Sequence, residues 1–295
     1  EYVLSGTYVG IRIRSVNPDE LGADVRERIG GRPVVQIEAV ADGQAVSWHN
    51  NRAPVTVTIP YDPSEAERKN FEHIVVWYID DDGNIVPVPN GKYDGDGHVT
   101  FTTVHFSHYA VAYVEKTFGD LQGYDWAMRS IEVLASKGVI NGTSESHYSP
   151  DADISRAEFM TLLVKTLDLK ADFEGSFSDV AASDYYYDEL GIAKALGIAE
   201  GIGDNRFNPD ANITRQDMFT LAAKSLQAAG KLGSPDQAAD LRRFSDASKI
   251  AGYAADSIAA LVGQALVVGS GGAIHPLDNA TRAEAAVFLY KIYHQ

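Results

Sequence analysis

Cysteine is absent from the 295 residues, which removes disulfide frameworks, thiolate nucleophiles, zinc knuckles and thiol redox chemistry in one step. No run of 18 apolar residues occurs either, so no membrane-spanning helix is expected and a membrane is not a predicted partner. Basic side chains are few. Against 41 Asp and Glu there are 25 Lys and Arg, a net charge of −16, and such a chain repels the phosphates that give nucleic-acid binding most of its affinity. Nucleic acid is therefore excluded, and any anionic ligand needs a local exception. The eight histidines show no H-E-x-x-H spacing, and neither G-x-S-x-G nor a phosphate loop occurs, so no metal or cofactor is expected. The chain opens at Glu1 without a Met or a charged-then-apolar leader, and reads as a piece of something longer. What remains is an ordinary globular composition, 45% hydrophobic, long enough for about two domains with their own cores.

Two periodicities divide the sequence. Up to about Lys116 the apolar residues alternate or run in short β-branched stretches, at 34–40, 55–59, 74–79, 99–104 and 109–114. Turn signals at Asp42-Gly43, Pro60 to Pro63, Asn90-Gly91 and Asp94 to Gly97 separate them, and residues 64–70 could add a helical turn or two. This spacing predicts an all-β sandwich over 1–116. After Phe118 the period becomes 3.6, with helices expected near 124–137, 155–168, 185–196, 214–229, 253–264 and 281–293. Each half carries a net charge of −8, so charge does not distinguish them.

The helical half is one unit written three times, at 118–170, 177–230 and 244–295. Each copy opens Phe-x-Asp, at Phe118, Phe177 and Phe244, and in each an Arg follows the Phe by 38 residues, at Arg156, Arg215 and Arg282. Pro150, Pro209 and Pro276 lie 32 residues after their Phe. The copies start 59 and 67 residues apart, and the difference falls in the Ala/Gly/Asp-rich connection at 230–243. Ser155-Arg-Ala-Glu158 and Thr281-Arg-Ala-Glu284 are capping boxes, and Thr214-Arg-Gln-Asp217 is the same box with a shorter acid. Helix initiation accounts for the hydroxyls and the acids but not for Arg. A cation at the first helical position faces the positive end of the macrodipole, which costs a few tenths of a kcal/mol and asks for an anion nearby. That anion is either a protein carboxylate or a ligand, for which a helix N-terminus with a guanidinium fork is a good receptor.

These residues resemble the S-layer homology domain, by which Gram-positive bacteria hold exported proteins on the cell wall. The resemblance covers Phe118 to Gln295 and rests on F-x-D, on G-x-x-x-G at Gly138 to Gly142 and Gly197 to Gly201, on Tyr148-Ser149-Pro150 and Phe207-Asn208-Pro209, and on I-S-R-A-E at 154–158 and I-T-R-Q-D at 213–217. It implies an α+β multidomain chain, the sandwich followed by an all-α, pseudo-threefold bundle of three repeats. It also implies an extracellular place at the wall surface or S-layer, and a non-enzymatic role. The implied ligand is an anionic, pyruvylated N-acetylmannosamine type of wall polysaccharide bound in grooves between repeats, with other surface-layer proteins as further partners. Its carboxylate would meet Arg156 and Arg215, and its sugar face Trp126 and Tyr185. Asp120 and Asp179 would take sugar hydroxyls, and Gly142 and Gly201 would allow close approach. The third copy departs from the pattern: Gly252 precedes Tyr253 in the aromatic place, Val268-Gly269 replaces the second glycine site, and Ala280 replaces Ile. A groove using Asp246, Tyr253 and Arg282 is expected to bind weakly or not at all.

The β half shows no convincing active site. Tyr61 and Trp77-Tyr78 read as core rather than as a sugar platform, and the Asp/Gly runs at 80–84 and 94–97 read as hairpin turns, because neither continues to the Glu that closes a calcium loop. One tripeptide, His105-Phe106-Ser107, resembles the junction at which certain β domains cut their own chain, Ser attacking the preceding carbonyl with His as base. Self-processing is thus a second reading. A wall-glycan hydrolase is a third, for which no carboxylate pair is marked out as acid and base.

Overall fold

The computed structural model describes residues 9–80, 82–233 and 238–295, so Asp81 lies outside the described residues. The chain divides into two compact units, Glu1–Lys116 with Ser136–Gly138, and Thr117–Ala135 with Val139–Gln295.

In the first unit the period-2 segments form two antiparallel sheets. The elements in chain order are β1 (Val9–Ser15), α1 (Ala23–Ile29), β2 (Val34–Ala41), β3 (Gln44–Val46), β4 (Val55–Pro60), α2 (Glu65–Lys69), β5 (Ile74–Ile79), β6 (Ile85–Val88), β7 (Lys92–Tyr93), β8 (His98–Thr103) and β9 (His108–Tyr113). The larger sheet runs β1-β2-β9-β5-β6 with β3 on β2, and the smaller runs β4-β8-β7. Alternation in β4 buries Val57 and Ile59 while Thr56 and Thr58 face out, as a strand covered on one side requires. β5 has no such alternation because both its faces are covered. Ile74 and Val76 join Phe101 and Tyr109 in the core between the sheets. Val75, Trp77 and Ile79 join Val25 and Ile29 of α1 in a second core on the outer face. The unit is therefore a sandwich with a helical layer added. α1 leaves little periodic signal because it is seven residues long with two buried anchors, Val25 and Ile29. The two Asp/Gly runs are hairpin turns: Asp80 accepts from the backbone of Asp82 and Asn84, and Asp94 from that of Asp96 and His98.

In the second unit six helices fall where the 3.6 period predicts: α3 (Asp125–Ser136), α4 (Arg156–Leu167), α5 (Tyr187–Ala195), α6 (Arg215–Ala228), α7 (Gly252–Gly263) and α8 (Arg282–Tyr293). The first helix of each repeat lies against the second helix of the repeat before it, α5 on α4 and α7 on α6. α3 closes the circle on α8, where Arg129 Nε donates to the Tyr290 hydroxyl at 3.3 Å. At the centre three backbone bonds form a closed triangle: Ile154 N–H to Ala280 C=O, Ala280 N–H to Ile213 C=O and Ile213 N–H to Ile154 C=O, at 3.0, 3.0 and 3.1 Å. Beside it Asp153 accepts from the amides of Asn212 and Asn279, both at 2.7 Å.

The opening motif of each repeat has a steric role as well. The Phe ring sits under the loop that follows the first helix, against a glycine. A Cβ at Gly142 would meet the carbonyl oxygens of Ser144 and His147 and come within 2.6 Å of the Phe118 ring. At Gly201 it would meet the Arg206 carbonyl and the Phe177 ring, and at Gly269 the Ala273 carbonyl and the Phe244 ring. Gly269 thus fills, in the third repeat, the glycine place that the sequence pattern leaves vacant. Gly142→Ala is expected to lower the stability of the second unit by about 1–3 kcal/mol through this overpacking, read as a drop in its urea midpoint, while Gly271→Ala, with open space around it, loses only the smaller cost of its left-handed φ.

Candidate functional site

The three arginines build a ring of clamps, each reaching from one repeat to the next. Arg156 Nε donates to Phe207 C=O at 3.1 Å, and its Nη1 lies 3.6 Å from the Asp217 carboxylate. Arg215 Nε donates to Ile274 C=O at 3.1 Å and its Nη1 to Glu284 at 2.8 Å. Arg282 Nε donates to Tyr148 C=O at 3.0 Å, Nη1 to Glu158 at 2.9 Å and Nη2 to Asn141 C=O at 2.8 Å. Each guanidinium also lies over an aromatic ring, about 5 Å from its centroid: Arg156 and Arg282 over Phe207 and Tyr148 of the repeat they reach, Arg215 over Phe219 of its own helix. The anion that the sequence asks for is thus, in the first instance, the capping acid of the next repeat. Glu158 and Glu284 each do two things: one oxygen takes the N-cap N–H of their own helix and the other takes the neighbour's Arg.

The helix N-termini are not free receptors. The first two N–H groups of α4 go to Ala211 and Pro209, those of α6 to Asp278 and Pro276, and those of α8 to Ala152 and Pro150, while the third goes to the N-cap hydroxyl. The macrodipole end is used to join repeats.

Around Arg156 this construction leaves a cavity of about 460 Å3 within the second unit. It gathers side chains from all three repeats: Arg156 from the first, Glu200, Asp217 and Lys224 from the second and Tyr253 from the third. Tyr253 donates its hydroxyl to Asp217 at 2.6 Å, and Lys224 pairs with Glu200 at 2.6 Å. Partial burial and the Asp217 carboxylate push the Tyr253 hydroxyl up to about 12, so it stays a donor at any physiological pH. Tyr185 feels the charges of Glu158 and Arg282; burial first and then the Glu158 charge raise its hydroxyl to about 12. Trp126, Tyr185 and Tyr253 are 56%, 68% and 62% exposed, which separates them from the core aromatics and leaves a ring face available at each corresponding place.

Of the sequence candidates, the structure brings Arg156, Gly201 and Tyr253 to one cavity. It pairs Arg282 with first-repeat residues and not with Asp246. The three F-x-D acids brace turns within their own repeats. Asp120 accepts from the N–H of Tyr148 and Ser149, Asp179 from Phe207 and Asn208, and Asp246 from Ile274 and His275, all at 2.7–3.1 Å. Each turn holds a non-glycine residue at positive φ, Ser149 at 60°, Asn208 at 59° and His275 at 57°, and the carboxylate bonds offset that strain. Sugar-hydroxyl binding by these acids therefore competes with bonds the fold already uses. Gly142 and Gly201 likewise answer to the Phe ring and loop carbonyls beside them. Sequence reasoning missed Glu200 and Lys224 as groove residues. A signal was present, because a Lys follows each Arg by nine residues, at Lys165, Lys224 and Lys291.

In the first unit the His105-Phe106-Ser107 junction is tightly held. Ser107 Oγ donates to Ile79 C=O at 2.7 Å, the Tyr109 hydroxyl donates to His105 C=O at 2.7 Å, and Phe106 stacks on Trp48 at 4.3 Å. The Ser107 proton is directed at a carbonyl of another strand, and none of the three residues has a positive φ. Among the described residues no group of three or more His, Asp or Glu side chains could hold a metal ion.

Burial raises the three turn aspartates while the backbone N–H bonds lower them more, leaving each below the ordinary value of 3.8. A carboxyl depressed on folding stabilises fully above its unfolded pKa and loses that contribution as pH falls through its folded one. The melting temperature of the second unit is expected to hold at pH 5 and fall below pH 3.8, with Asp179→Asn less stable at neutral pH and less acid-sensitive. Among the clamps, Arg282→Ala is expected to cost about 3 kcal/mol, since three hydrogen bonds end and Glu158 keeps an unpaired charge, and Arg156→Ala about 1 kcal/mol, compared by urea unfolding.

The S-layer homology domain model matches three stretches, 117–160, 176–219 and 243–286. An amylopullulanase of Thermoanaerobacterium thermosulfurigenes is 33% identical over 240 residues, 80% of this chain and 12% of its own length. That match is longer than the second unit, so it runs into the first. The surface-layer 125 kDa protein of Lysinibacillus sphaericus is 33% identical over 153 residues, 52% of this chain and 12% of its own. The S-layer protein sap of Bacillus anthracis is 30% identical over 183 residues, 61% of this chain and 22% of its own. The matches therefore span between about an eighth and about a fifth of the length of these three relatives. Together these likenesses indicate an extracellular, cell-surface location in a Gram-positive bacterium and a wall-anchoring role, which fits a part that is not itself enzymatic. With three matched repeats, a cyclic ring of arginine clamps and an inter-repeat cavity, the C-terminal part of this chain belongs to the S-layer homology domain family.

Proposed function

We propose that the three repeats anchor their protein by taking the acidic end of a pyruvylated secondary wall polysaccharide into the grooves between them, without chemical turnover. The observation that carries this reading is the Arg156 cavity. Arg156 makes one hydrogen bond, its Nη2 has no partner among the described residues, and an exposed Tyr253 ring borders the same space. A carboxylate on a sugar ring asks for this combination: a planar guanidinium donor for the charge, a flat apolar surface for the ring, and fixed walls that keep the cost of ordering low. The surrounding acidity argues for recognition by shape and directed hydrogen bonds, because the cavity holds Glu200 and Asp217 beside Arg156 and Lys224.

The proteins it resembles are called amylopullulanase in one case and S-layer protein in others. An anchor of this kind is indifferent to what it holds, and the rest of the protein could be either an enzyme or a lattice component. The first unit serves in this reading as a spacer. The hydrolase alternative gains no support, and self-processing at Ser107 would first have to withdraw its hydroxyl from Ile79.

Sedimentation with purified Gram-positive cell wall tests the proposal. The intact chain is expected to pellet with native wall and to stay in solution with wall stripped of its pyruvylated polymer. The variant Arg156→Lys keeps the charge but loses the fork, and is expected to lose most pelleting with little change in melting temperature. Equal pelleting with native and stripped wall would refute the ligand class.

A further inference from the structure

The three clamps repeat one design with a graded difference. Arg282 uses all three kinds of guanidinium nitrogen in hydrogen bonds, Arg215 uses two and Arg156 one. The step from two to one follows the length of the acid opposite, and the step from three to two is the added Nη2 bond of Arg282 to Asn141 C=O. Glu158 and Glu284 reach their arginines at 2.9 and 2.8 Å, and each also bonds its own N-cap N–H. Asp217 is one methylene shorter, stops 3.6 Å from Arg156 and leaves its capping box half made, with only the Thr214 hydroxyl bond formed. Its other oxygen takes the Tyr253 hydroxyl at 2.6 Å, which ties the aromatic wall of the cavity to the acid beside the guanidinium.

We infer that Asp217 is a specificity-determining residue: by falling short of Arg156 and holding Tyr253, it makes the Arg156 groove the principal carboxylate-accepting site, while the Arg282 groove is a structural clamp. This rests on the reading of the repeats as binders of an acidic sugar, and says which groove binds and why. The third repeat's sequence departures are then not what closes a groove. Tyr253, from that repeat, completes the open one, and Arg282 is closed by Glu158 and Asn141 of the first repeat.

Asp217→Glu restores the longer acid and should close the groove while completing a capping box, so loss of binding cannot be ascribed to loss of fold. Calorimetric titration of the intact chain with synthetic pyruvylated N-acetylmannosamine is expected to show at least about a tenfold loss of affinity for Asp217→Glu, with an equal or higher melting temperature. The reciprocal Glu284→Asp, which frees Arg215, should not weaken binding. A measurement without ligand accompanies it: phenylglyoxal modification followed by peptide mapping should label Arg156 faster than Arg282 in the wild type, and Asp217→Glu should slow Arg156. An Asp217→Glu protein that binds the saccharide as tightly as wild type, or labels Arg156 as fast, overturns this inference and leaves the anchoring proposal standing. A wild type that binds none of the saccharide overturns the ligand class itself, and the labelling rates then decide separately whether Asp217 opens the groove.

Discussion

The second unit depends on a cyclic exchange of hydrogen bonds between repeats. Three buried backbone groups, at Ile154, Ile213 and Ala280, satisfy one another around a triangle, so no single repeat can satisfy its own. The exchange extends outward through the helix starts. Orphan N–H groups of each second helix find carbonyls of the following repeat, and the Arg at the first helical position reaches the same neighbour. An arginine that would be unfavourable on an isolated helix becomes favourable because the next repeat's capping acid lies within reach. The cavity beside Arg156 is a consequence of this closure, since it lies where the first repeat's Arg, the second repeat's loop and helix and the third repeat's Tyr253 come together.

On the proposed reading, that origin accounts for how a chain of net charge −16 would accept an acidic sugar. Bulk attraction works against the ligand, and positive charge inside the groove is largely answered by carboxylates already there. Affinity is left to the few guanidinium nitrogens that the clamp does not use, next to a ring whose face is open. Under that proposal the same residue type serves as fastener and as receptor, with the balance set by one methylene in the acid opposite.

The first unit shows a different use of coverage. β5 reads as an unbroken apolar run because it is buried by the small sheet on one side and by α1 on the other, and β9 follows it with Tyr109 and Val111 inward and Ala110 and Ala112 outward. The small outward residues of β9 leave room for the helix. The His105 to Ser107 junction sits at the end of this arrangement, bound by Ile79 and Tyr109, and its geometry is that of a packed connection between strands.

The sequence by itself determined the division near Lys116, the six helices and the threefold recurrence of Phe, Pro and Arg, because periodicity, caps and spacing are local properties that one chain displays along its length. It also marked Arg156, Arg215 and Arg282 as out of keeping with their helix positions, while Trp126, Tyr185 and Tyr253 came only through the family resemblance. Tertiary structure alone decided what those residues face. Asp120, Asp179 and Asp246 look free in sequence and are committed to turns 28 and 29 residues away, while Glu158 and Glu284 look like plain caps and hold arginines 124 and 69 residues away. The helix N-termini, attractive as anion sites in isolation, are filled by neighbouring carbonyls. These assignments pair groups across repeats, and a local pattern cannot say which copy's side chain enters which copy's space. Nor could it show that Asp217, a conservative change from Glu in a cap, stops 3.6 Å short of Arg156 where Glu158 and Glu284 reach their arginines at 2.9 and 2.8 Å.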